Sequence, residues 1–237
     1  MKKIFLSLFA LFTLSLTIVF AGYANPDTYE TEGRGVVSIL FVGNSFVFAG
    51  DIPGQLQALA GAHGIEITYT DISAGGATLR NLRNNAIREM RNRRFDYVVL
   101  QDQSRRPHVD TNGFLYDIRV LSNAARENGA MPVLYNPAVS DQPDEELQNI
   151  LSEVYRRAAR ENDAILINAG DVSIYAYNTI PGLLLSKSGN QAFLAACVFA
   201  AILFDLHITD IPQGSRYTGH NAIALAQAAW NFVNSSR

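Results

Sequence analysis

Short apolar runs recur along the chain and predict β-strands. The first, Val37–Val42, is mostly apolar and ends at Gly43, which is typical of a strand buried on both faces of a parallel sheet. The second, residues 65–70, alternates apolar and polar positions and predicts a more exposed strand. Three more apolar runs complete the set of five strands: residues 97–100, 132–135 and 164–167.

The segments between these runs predict helices. The helix over residues 52–63 ends at Gly64, a residue typical of helix C-termini. The helix over residues 144–161 begins with acidic residues and ends with basic ones, which suits the helix dipole. The remaining predicted helices cover residues 79–93, 113–128, 188–206 and 219–233.

Alternation of strands and helices predicts a parallel sheet with helices on both faces. In such sheets ligands bind beyond the carboxyl ends of the strands. We therefore expect the functional residues in the segments that directly follow the strands: residues 43–45, 73–76, 101–104, 136–141 and 168–171.

Length and composition favour one domain with a large core. The chain has 237 residues, of which 48% are hydrophobic and 17% charged. The net charge of −3 gives no reason to expect a nucleic acid or an anionic membrane as partner. The one basic cluster (Arg88, Arg91, Arg93 and Arg94) is interpreted as a solvated helix end.

The N-terminus predicts a targeting segment. Lys2 and Lys3 precede an apolar run over residues 4–21, and Ala24 ends a small-residue cleavage site. We predict a signal peptide over residues 1–24, a short polar lead over 25–34 and a single domain over 35–237, in a protein exported to the periplasm or beyond. The competing interpretation is an uncleaved membrane anchor, because the run approaches the length that spans a bilayer.

The tripeptide after the first strand carries the first candidate chemistry. Ser45, in Gly43-Asn44-Ser45, would be exposed at the sheet edge, where its hydroxyl can attack a carbonyl carbon. The alternative is a serine that merely caps a helix. After the second strand, Gly75 and Gly76 would let a backbone N–H approach a ligand closely, or would form a simple turn.

The segment Gln101-Asp102-Gln103-Ser104 follows the third strand. Its side-chain amides could stabilise a developing oxyanion, or could belong to a solvated loop. The lone cysteine, Cys197, lies in an apolar stretch and is predicted to be a buried structural thiol. No cluster of residues has metal-ligand spacing and no glycine-rich phosphate loop follows a strand, so neither a metal nor a cofactor is predicted.

Together these segments resemble the SGNH hydrolases, also called GDSL-type esterases. Gly43-Asn44-Ser45 matches the first block of that family, Gly75 or Gly76 the second, and residues 101–104 loosely match the third. The resemblance covers roughly residues 37–204. It implies a three-layer α/β/α fold with a flavodoxin-like five-stranded parallel sheet, and activity on carboxylic esters, including acyl groups linked to carbohydrates.

The resemblance also implies roles for single residues. Ser45 would be the nucleophile, and its backbone N–H, with Gly76 and the Gln103 amide, would form the oxyanion hole. Asn44, Gly75 and Asp102 would contribute to substrate binding. The partner would be a small-molecule or carbohydrate ester, without nucleic acid and without a stable membrane anchor once the signal peptide is cleaved.

The family's late Asp-x-x-His segment is degenerate in this chain. The aspartate position falls on Pro181 and the histidine position on Leu184, and neither side chain can transfer a proton. Because a serine without a base is a poor nucleophile, we expect weak or absent hydrolysis. The alternative function is a non-catalytic protein that binds an acylated glycan or similar ligand in the same cleft.

Another histidine could supply the missing base. His108 follows the third strand on the correct edge, with Asp110 or Asp171 as a group that could orient it. His63 and His207 are predicted at helix ends remote from that edge, and His220 follows a loop long enough to reach either edge. His108 is therefore the predicted substitute base.

Overall fold

The protein is described by a computed structural model covering residues 35–139, 141–212, 217 and 219–235. Its strands are β1 (Val37–Val42), β2 (Ile67–Asp71), β3 (Tyr97–Leu100), β4 (Met131–Tyr135) and β5 (Ile165–Ile167). Its helices are α1 (Ser45–Phe48), α2 (Ile52–Gly61), α3 (Leu79–Asn92), α4 (Arg106–Val109), α5 (Thr111–Glu127), α6 (Glu145–Glu161), α7 (Ala169–Thr179), α8 (Asn190–Phe204) and α9 (Ala222–Ser235).

The five strands form one parallel sheet in the order β2-β1-β3-β4-β5. In this flavodoxin-like order β2 lies on one side of β1, and β3, β4 and β5 follow on the other side. The order of the strands therefore reverses at β1. The predicted three-layer α/β/α architecture is confirmed. The reversal leaves a crevice between the loops that follow β1 and β3, where ligands bind in sheets of this kind.

Alternate residues of the strands face two separate hydrophobic cores. In β1, Ile39 and Phe41 pack with α2, α7, α8 and α9, whereas Leu40 and Val42 pack with α3, α5 and α6. All four side chains are almost completely buried. Burial on both faces explains why β1 is an apolar run without alternation.

Helix α8 is apolar on all sides because it is enclosed by other elements. It packs against α2 and α9, and its Phe199 ring meets the rings of Phe41 and Tyr135 on the sheet. Cys197 lies in the same helix, and burial raises the pKa of its thiol. The prediction that Cys197 is buried is confirmed by this placement.

Short helices were the main omissions of the sequence-based prediction. Helices α1 and α4 have four residues each, too few to display a helical period. Helix α7 follows β5 after the single residue Asn168, and its mixed apolar pattern gave no clear signal. Helix α2 ends at Gly61, three residues before Gly64, which was predicted to end it; Gly64 has a left-handed backbone with φ of 79°.

The predicted signal peptide (residues 1–24) and polar lead (residues 25–34) lie outside the described residues. Within the described ranges, no helix is both long and apolar enough to span a bilayer. The single domain over residues 35–237 stays a prediction.

Candidate active site

Asn44 joins the loops that follow three strands. Its side-chain Nδ2 donates to the carbonyl oxygens of Ala77, after β2, and Asp102, after β3, at 3.2 and 3.3 Å. Its backbone N–H donates to the Gln101 side-chain oxygen at 2.9 Å. The three loops therefore meet at one edge of the sheet, because parallel strands present their carboxyl ends on the same side. Asn44 itself is buried, so it holds the loops together from below.

Ser45 is the first residue of α1 and is partly exposed at this edge. The side chain of Asn44 caps the helix by accepting from the Phe46 N–H at 3.1 Å. Gly43 is needed because the turn is crowded: a Cβ there would lie 2.7 Å from a Val47 methyl carbon and 2.8 Å from the Gln101 side-chain oxygen. The first motif thus forms a tight turn that holds the serine hydroxyl at the sheet edge.

Lys187 is the hydrogen-bond partner of the serine. Its Nζ donates to Ser45 Oγ at 3.0 Å and lies 5.0 Å from the centre of the Phe46 ring. Lys187 was not among the predicted site residues. A signal was nevertheless present, since Lys187 is the only ionisable residue between Pro181 and Asn190, the segment where the family carries its acid–base pair.

Gly50 allows the Lys187 segment to approach α1 closely. A Cβ at Gly50 would lie 2.2 Å from the Ala192 Cβ, 3.1 Å from the Lys187 carbonyl oxygen and 3.2 Å from the Ser188 Cα. These separations are too short for any side chain other than hydrogen. The Lys187 position therefore depends on a glycine that lies far away in the sequence.

The predicted oxyanion-hole residues lie on the neighbouring loops. Gly76 has φ of 66°, in an exposed turn closed by the Ala77 N–H donating to the Ala74 carbonyl oxygen at 3.1 Å. Gly75 is exposed in the same turn, and a Cβ at either glycine would meet open space. The positive φ at position 76 thus favours glycine over other residues. The role of its N–H in an oxyanion hole stays a prediction.

The Gln103 carboxamide interacts with its own loop. Its Oε1 accepts from the backbone N–H groups of Arg105 and Arg106, at 3.0 and 3.1 Å, and its Nε2 donates to Ser104 Oγ at 3.3 Å. The carboxamide therefore stabilises the start of α4. To serve as the predicted oxyanion donor, its NH₂ group would have to give up the hydrogen bond to Ser104 and donate to the substrate oxygen instead.

Asp102 lies beneath the site and is fully shielded from solvent. Its carboxylate accepts from the Leu79 and Gln103 N–H groups and pairs with Arg106 at 2.5 Å. Arg106 also binds the buried Asp117 at 2.7 Å. Burial raises the pKa of the Asp102 carboxyl, opposed by its hydrogen bonds and by the charge of Arg106. This geometry gives Asp102 a positioning role, and the substrate contact predicted for it stays a prediction.

The predicted substitute base, His108, lies on α4 with its side chain exposed. Among the described residues it makes no hydrogen bond with Ser45, whose hydroxyl instead contacts Lys187. The proposed orienting groups are also engaged elsewhere: Asp110 caps α5 through the Gly113 N–H, and Asp171 binds Arg156. The role of His108 as a base stays a prediction.

The other histidines have local partners or lie in loops. His63 Nδ1 contacts the Leu59 carbonyl oxygen at 2.9 Å, and the His207 ring stacks on Trp230. His220 is exposed just before α9. The family's aspartate and histidine positions, Pro181 and Leu184, are both exposed, and the Leu184 side chain is 79% accessible.

Two hollows lie near this edge. One, of about 530 Å³, contains polar and aromatic side chains together with the serine's partner: Phe46, Val139, Asp141, Gln142, Lys187 and Gln191. The other, of about 310 Å³, is formed by residues 177–184 and includes both degenerate family positions. Among the described residues, no group of histidine, cysteine, aspartate or glutamate side chains is arranged to hold a metal ion.

Comparison with known proteins gives structural but not sequence-family matches. No family model and no curated protein matches the chain. A protein from Slackia heliotrinireducens assigned to the SGNH hydrolases is 25% identical, with a TM-score of 0.57, over 71% of this chain and 100% of that one. A DUF4886 family protein from Bacteroides uniformis is 17% identical, with a TM-score of 0.67, over 86% and 97% of the two chains.

An acetyl xylan esterase, AlAXEase, is 18% identical with a TM-score of 0.56, and the match covers 70% of this chain and 100% of that one. The sheet order, the serine turn after β1 and these likenesses define a three-layer α/β/α protein with the SGNH hydrolase fold. The structural neighbours support membership of the SGNH hydrolase superfamily, and they include acetyl xylan esterases.

Proposed function

We propose that this protein is a serine hydrolase that removes short acyl groups, such as acetyl, from small-molecule or carbohydrate esters. The observation that carries the proposal is the partly exposed Ser45 hydroxyl at the carboxyl edge of the sheet, hydrogen-bonded to Lys187 at 3.0 Å. A serine at this edge can attack an acyl carbon, and a hydrogen-bond partner can orient its hydroxyl.

The lining of the larger hollow supports a carbohydrate ester as substrate. Gln142 and Gln191 can exchange hydrogen bonds with sugar hydroxyls, and the ring of Phe46 offers an apolar face to a sugar ring. Acetyl xylan esterases among the structural neighbours support the same substrate class. The proposed oxyanion hole uses the backbone N–H groups of Ser45 and Gly76 with the Gln103 amide.

A non-catalytic ligand-binding protein is the second candidate. Pro181 and Leu184 occupy the family's aspartate and histidine positions. Both residues are exposed to solvent, and neither side chain can form the hydrogen bonds of a catalytic triad. Loss of the triad partners leaves only a residual acceleration of about 10³–10⁴ over water in well-studied serine hydrolases. The two candidate functions differ in whether the bound ester is hydrolysed by attack of Ser45.

Acetate release tests the proposed hydrolysis. The purified full chain is expected to release acetate from acetylated xylo-oligosaccharides and from p-nitrophenyl acetate, more slowly than a complete triad would. Ser45→Ala should lower this rate by at least about 100-fold, because the nucleophile is lost. The matched control Ser188→Ala, a change of an exposed serine beside Lys187, should retain the rate.

Two results would contradict the proposal. Equal acetate release by the wild-type protein and Ser45→Ala would assign the reaction to another group or to a contaminant. Saturable binding of an acetylated oligosaccharide without any release of acetate would favour the non-catalytic candidate.

Export is part of the proposed function. The support is the charged start, apolar run and small-residue end of residues 1–24. The intact mass of the protein recovered outside the cytoplasm should correspond to a chain that begins near Asn25. Recovery of the full-length mass in the membrane fraction would favour the uncleaved anchor instead.

A further inference from the structure

We propose that the side-chain amine of Lys187 is the general base for Ser45, in place of the histidine that the family uses. This inference rests on the proposed function, because a base is required only if Ser45 attacks a substrate. It assigns the proton transfer to a residue three positions beyond Leu184, the degenerate histidine position.

The two reacting atoms are already at hydrogen-bond distance. Lys187 Nζ lies 3.0 Å from Ser45 Oγ, within the range of about 2.6–3.2 Å that direct proton transfer requires. In its neutral form the amine has a lone pair, and the same contact then has the hydroxyl as donor. A serine paired with a lysine is an established variant of the serine nucleophile in unrelated hydrolases.

The structure holds the Lys187 segment in place from both sides. Leu183 and Leu185 are buried, with 2% and 4% of their surfaces accessible, whereas Leu184 between them points to solvent. After Lys187, the N–H groups of Gly189 and Gln191 both donate to the Ser186 carbonyl oxygen at 3.1 Å. These contacts fix the backbone on which the lysine stands.

The groups around the amine leave it free to exchange a proton with Ser45. Among the described residues Lys187 forms no ion pair. Helix α1 presents Ser45 and the Phe46 ring to it, and the start of α8 presents the neutral Gln191. The titratable group that shares the hollow is Asp141, in the loop after β4.

Among the described residues, helices α1, α2 and α8 contain no acidic side chain, and the N-cap of α2 is Asp51. Asp51 follows Gly50, and its carboxylate caps α2 by accepting from the Gly54 N–H. It is therefore directed at its own helix. The charge that faces Lys187 across the hollow is consequently that of Asp141.

The proposed reaction is balanced without a further co-reactant. The Ser45 O–H bond breaks, its proton moves to Lys187 Nζ, and Oγ bonds to the acyl carbon. The tetrahedral intermediate collapses, the ammonium group returns the proton to the departing alcohol, and an acyl-enzyme remains. Water then attacks this ester while the amine takes one of the water's protons. As the C–Oγ bond breaks, the ammonium group gives that proton to Ser45 Oγ, the carboxylic acid leaves, and Ser45 and the neutral amine are restored.

The pH profile distinguishes a lysine base from a histidine base. Only the neutral amine can accept a proton, so reactivity that depends on Lys187 should rise as the pH increases above neutral. A histidine base reaches its active form near its ordinary pKa of about 6.5, so its profile should be flat over the same alkaline range.

The experiment measures activation of Ser45 by its reaction with a fluorophosphonate, which requires an activated serine but no turnover. The rate of Ser45 phosphonylation in the purified full chain is followed by mass spectrometry from about pH 6 to about pH 10. Three variants are compared with the wild type: Lys187→Met, Lys187→Arg and His108→Ala. Lys187→Arg is the matched control for charge, because an arginine can still donate to Ser45 but cannot lose its proton in a protein.

Both lysine variants are expected to react about 100-fold or more slowly and to lose the alkaline rise. Slow labelling in His108→Ala together with wild-type labelling in both lysine variants would instead assign the base to His108. Thermal unfolding midpoints show whether each variant is folded. If Lys187→Met is unfolded, the comparison of Lys187→Arg with the wild type still tests the inference. A wild-type rate and profile in Lys187→Arg would overturn the inference, as would absence of Ser45 labelling in the wild type.

The inference and the proposed function can fail separately. Lysine-dependent labelling of Ser45 without any acetate release would retain the activated serine and contradict the proposed hydrolysis. Ser45-dependent acetate release that is unchanged in both lysine variants would retain the hydrolysis and contradict the role of Lys187.

Discussion

Replacing Arg106 with methionine is expected to destabilise the fold by about 3–5 kcal/mol, because the buried Asp102 carboxylate would lose its ion-pair partner and Asp117 would keep only Arg80 and Arg83. The Arg106 side chain is 7% exposed, and those of Asp102 and Asp117 are 0% exposed. Removal of one member of a buried ion pair leaves an uncompensated charge in a medium of low polarity. Chemical denaturation of the wild type and the variant measures the difference in unfolding free energy.

The pH dependence of this loss has a definite sign. Burial already raises the pKa of Asp102 above its ordinary value of 3.8, and removal of Arg106 should raise it further. A folded-state pKa above that of the unfolded chain means that stability falls as the pH increases from about 3.8 towards the folded-state value. The deficit of Arg106→Met should therefore shrink as the pH is lowered through that window.

Arg157→Met is the matched control for Arg106→Met. Arg157 pairs with Glu161 on α6, but both side chains are about half exposed, at 56% and 48%. Exposed pairs of this kind contribute about 0–1 kcal/mol. Equal destabilisation by the two substitutions would contradict the assignment of a buried charge network beneath the site.

Gly50→Ala is expected to slow the Ser45 reaction with the fluorophosphonate by about 100-fold. The new Cβ would stand 2.2 Å from the Ala192 Cβ and 3.1 Å from the Lys187 carbonyl oxygen, so the Lys187 segment must move away from α1. A displacement of about 1 Å at a reacting group can cost about two orders of magnitude in rate. The same crowding should lower the unfolding free energy by about 1–3 kcal/mol.

Two further variants separate displacement from a general loss of stability. Gly61→Ala places a Cβ in open space on α2, so it should leave the reaction rate unchanged. The double change Gly50→Ala with Ala192→Gly removes the shortest contact and should restore part of the rate. A wild-type rate in Gly50→Ala alone would show that the close approach of the two segments does not position Lys187.

The loop after β1 illustrates how much local sequence signals can predict. The apolar run of β1, the glycine after it and the serine two residues later predicted a strand, a tight turn and an exposed hydroxyl. The structure has this arrangement, because strand and turn preferences depend on neighbouring residues. The glycine pair after β2 was likewise predicted as a turn, and Gly76 has the positive φ that favours glycine.

Local sequence patterns did not predict which partners the side chains of this edge contact. Gln103 was predicted to face a substrate, but its carboxamide stabilises the start of α4. Asp102 was predicted to contribute to substrate binding, and its carboxyl group is buried against Arg106. Both residues follow β3 as expected, and only the packing of α4 and α5 against that loop decides where their side chains point.

The sequence by itself determined the five strands, most of the helices between them, the sheet edge that carries the site and the serine at that edge, because these depend on hydrophobic periodicity and turn chemistry. Only the tertiary structure decided which side chain reaches the serine. Lys187 lies 142 positions away from Ser45 along the chain. Their contact exists because α8 and the segment before it pack against α1 across Gly50, a packing relation that no local pattern encodes.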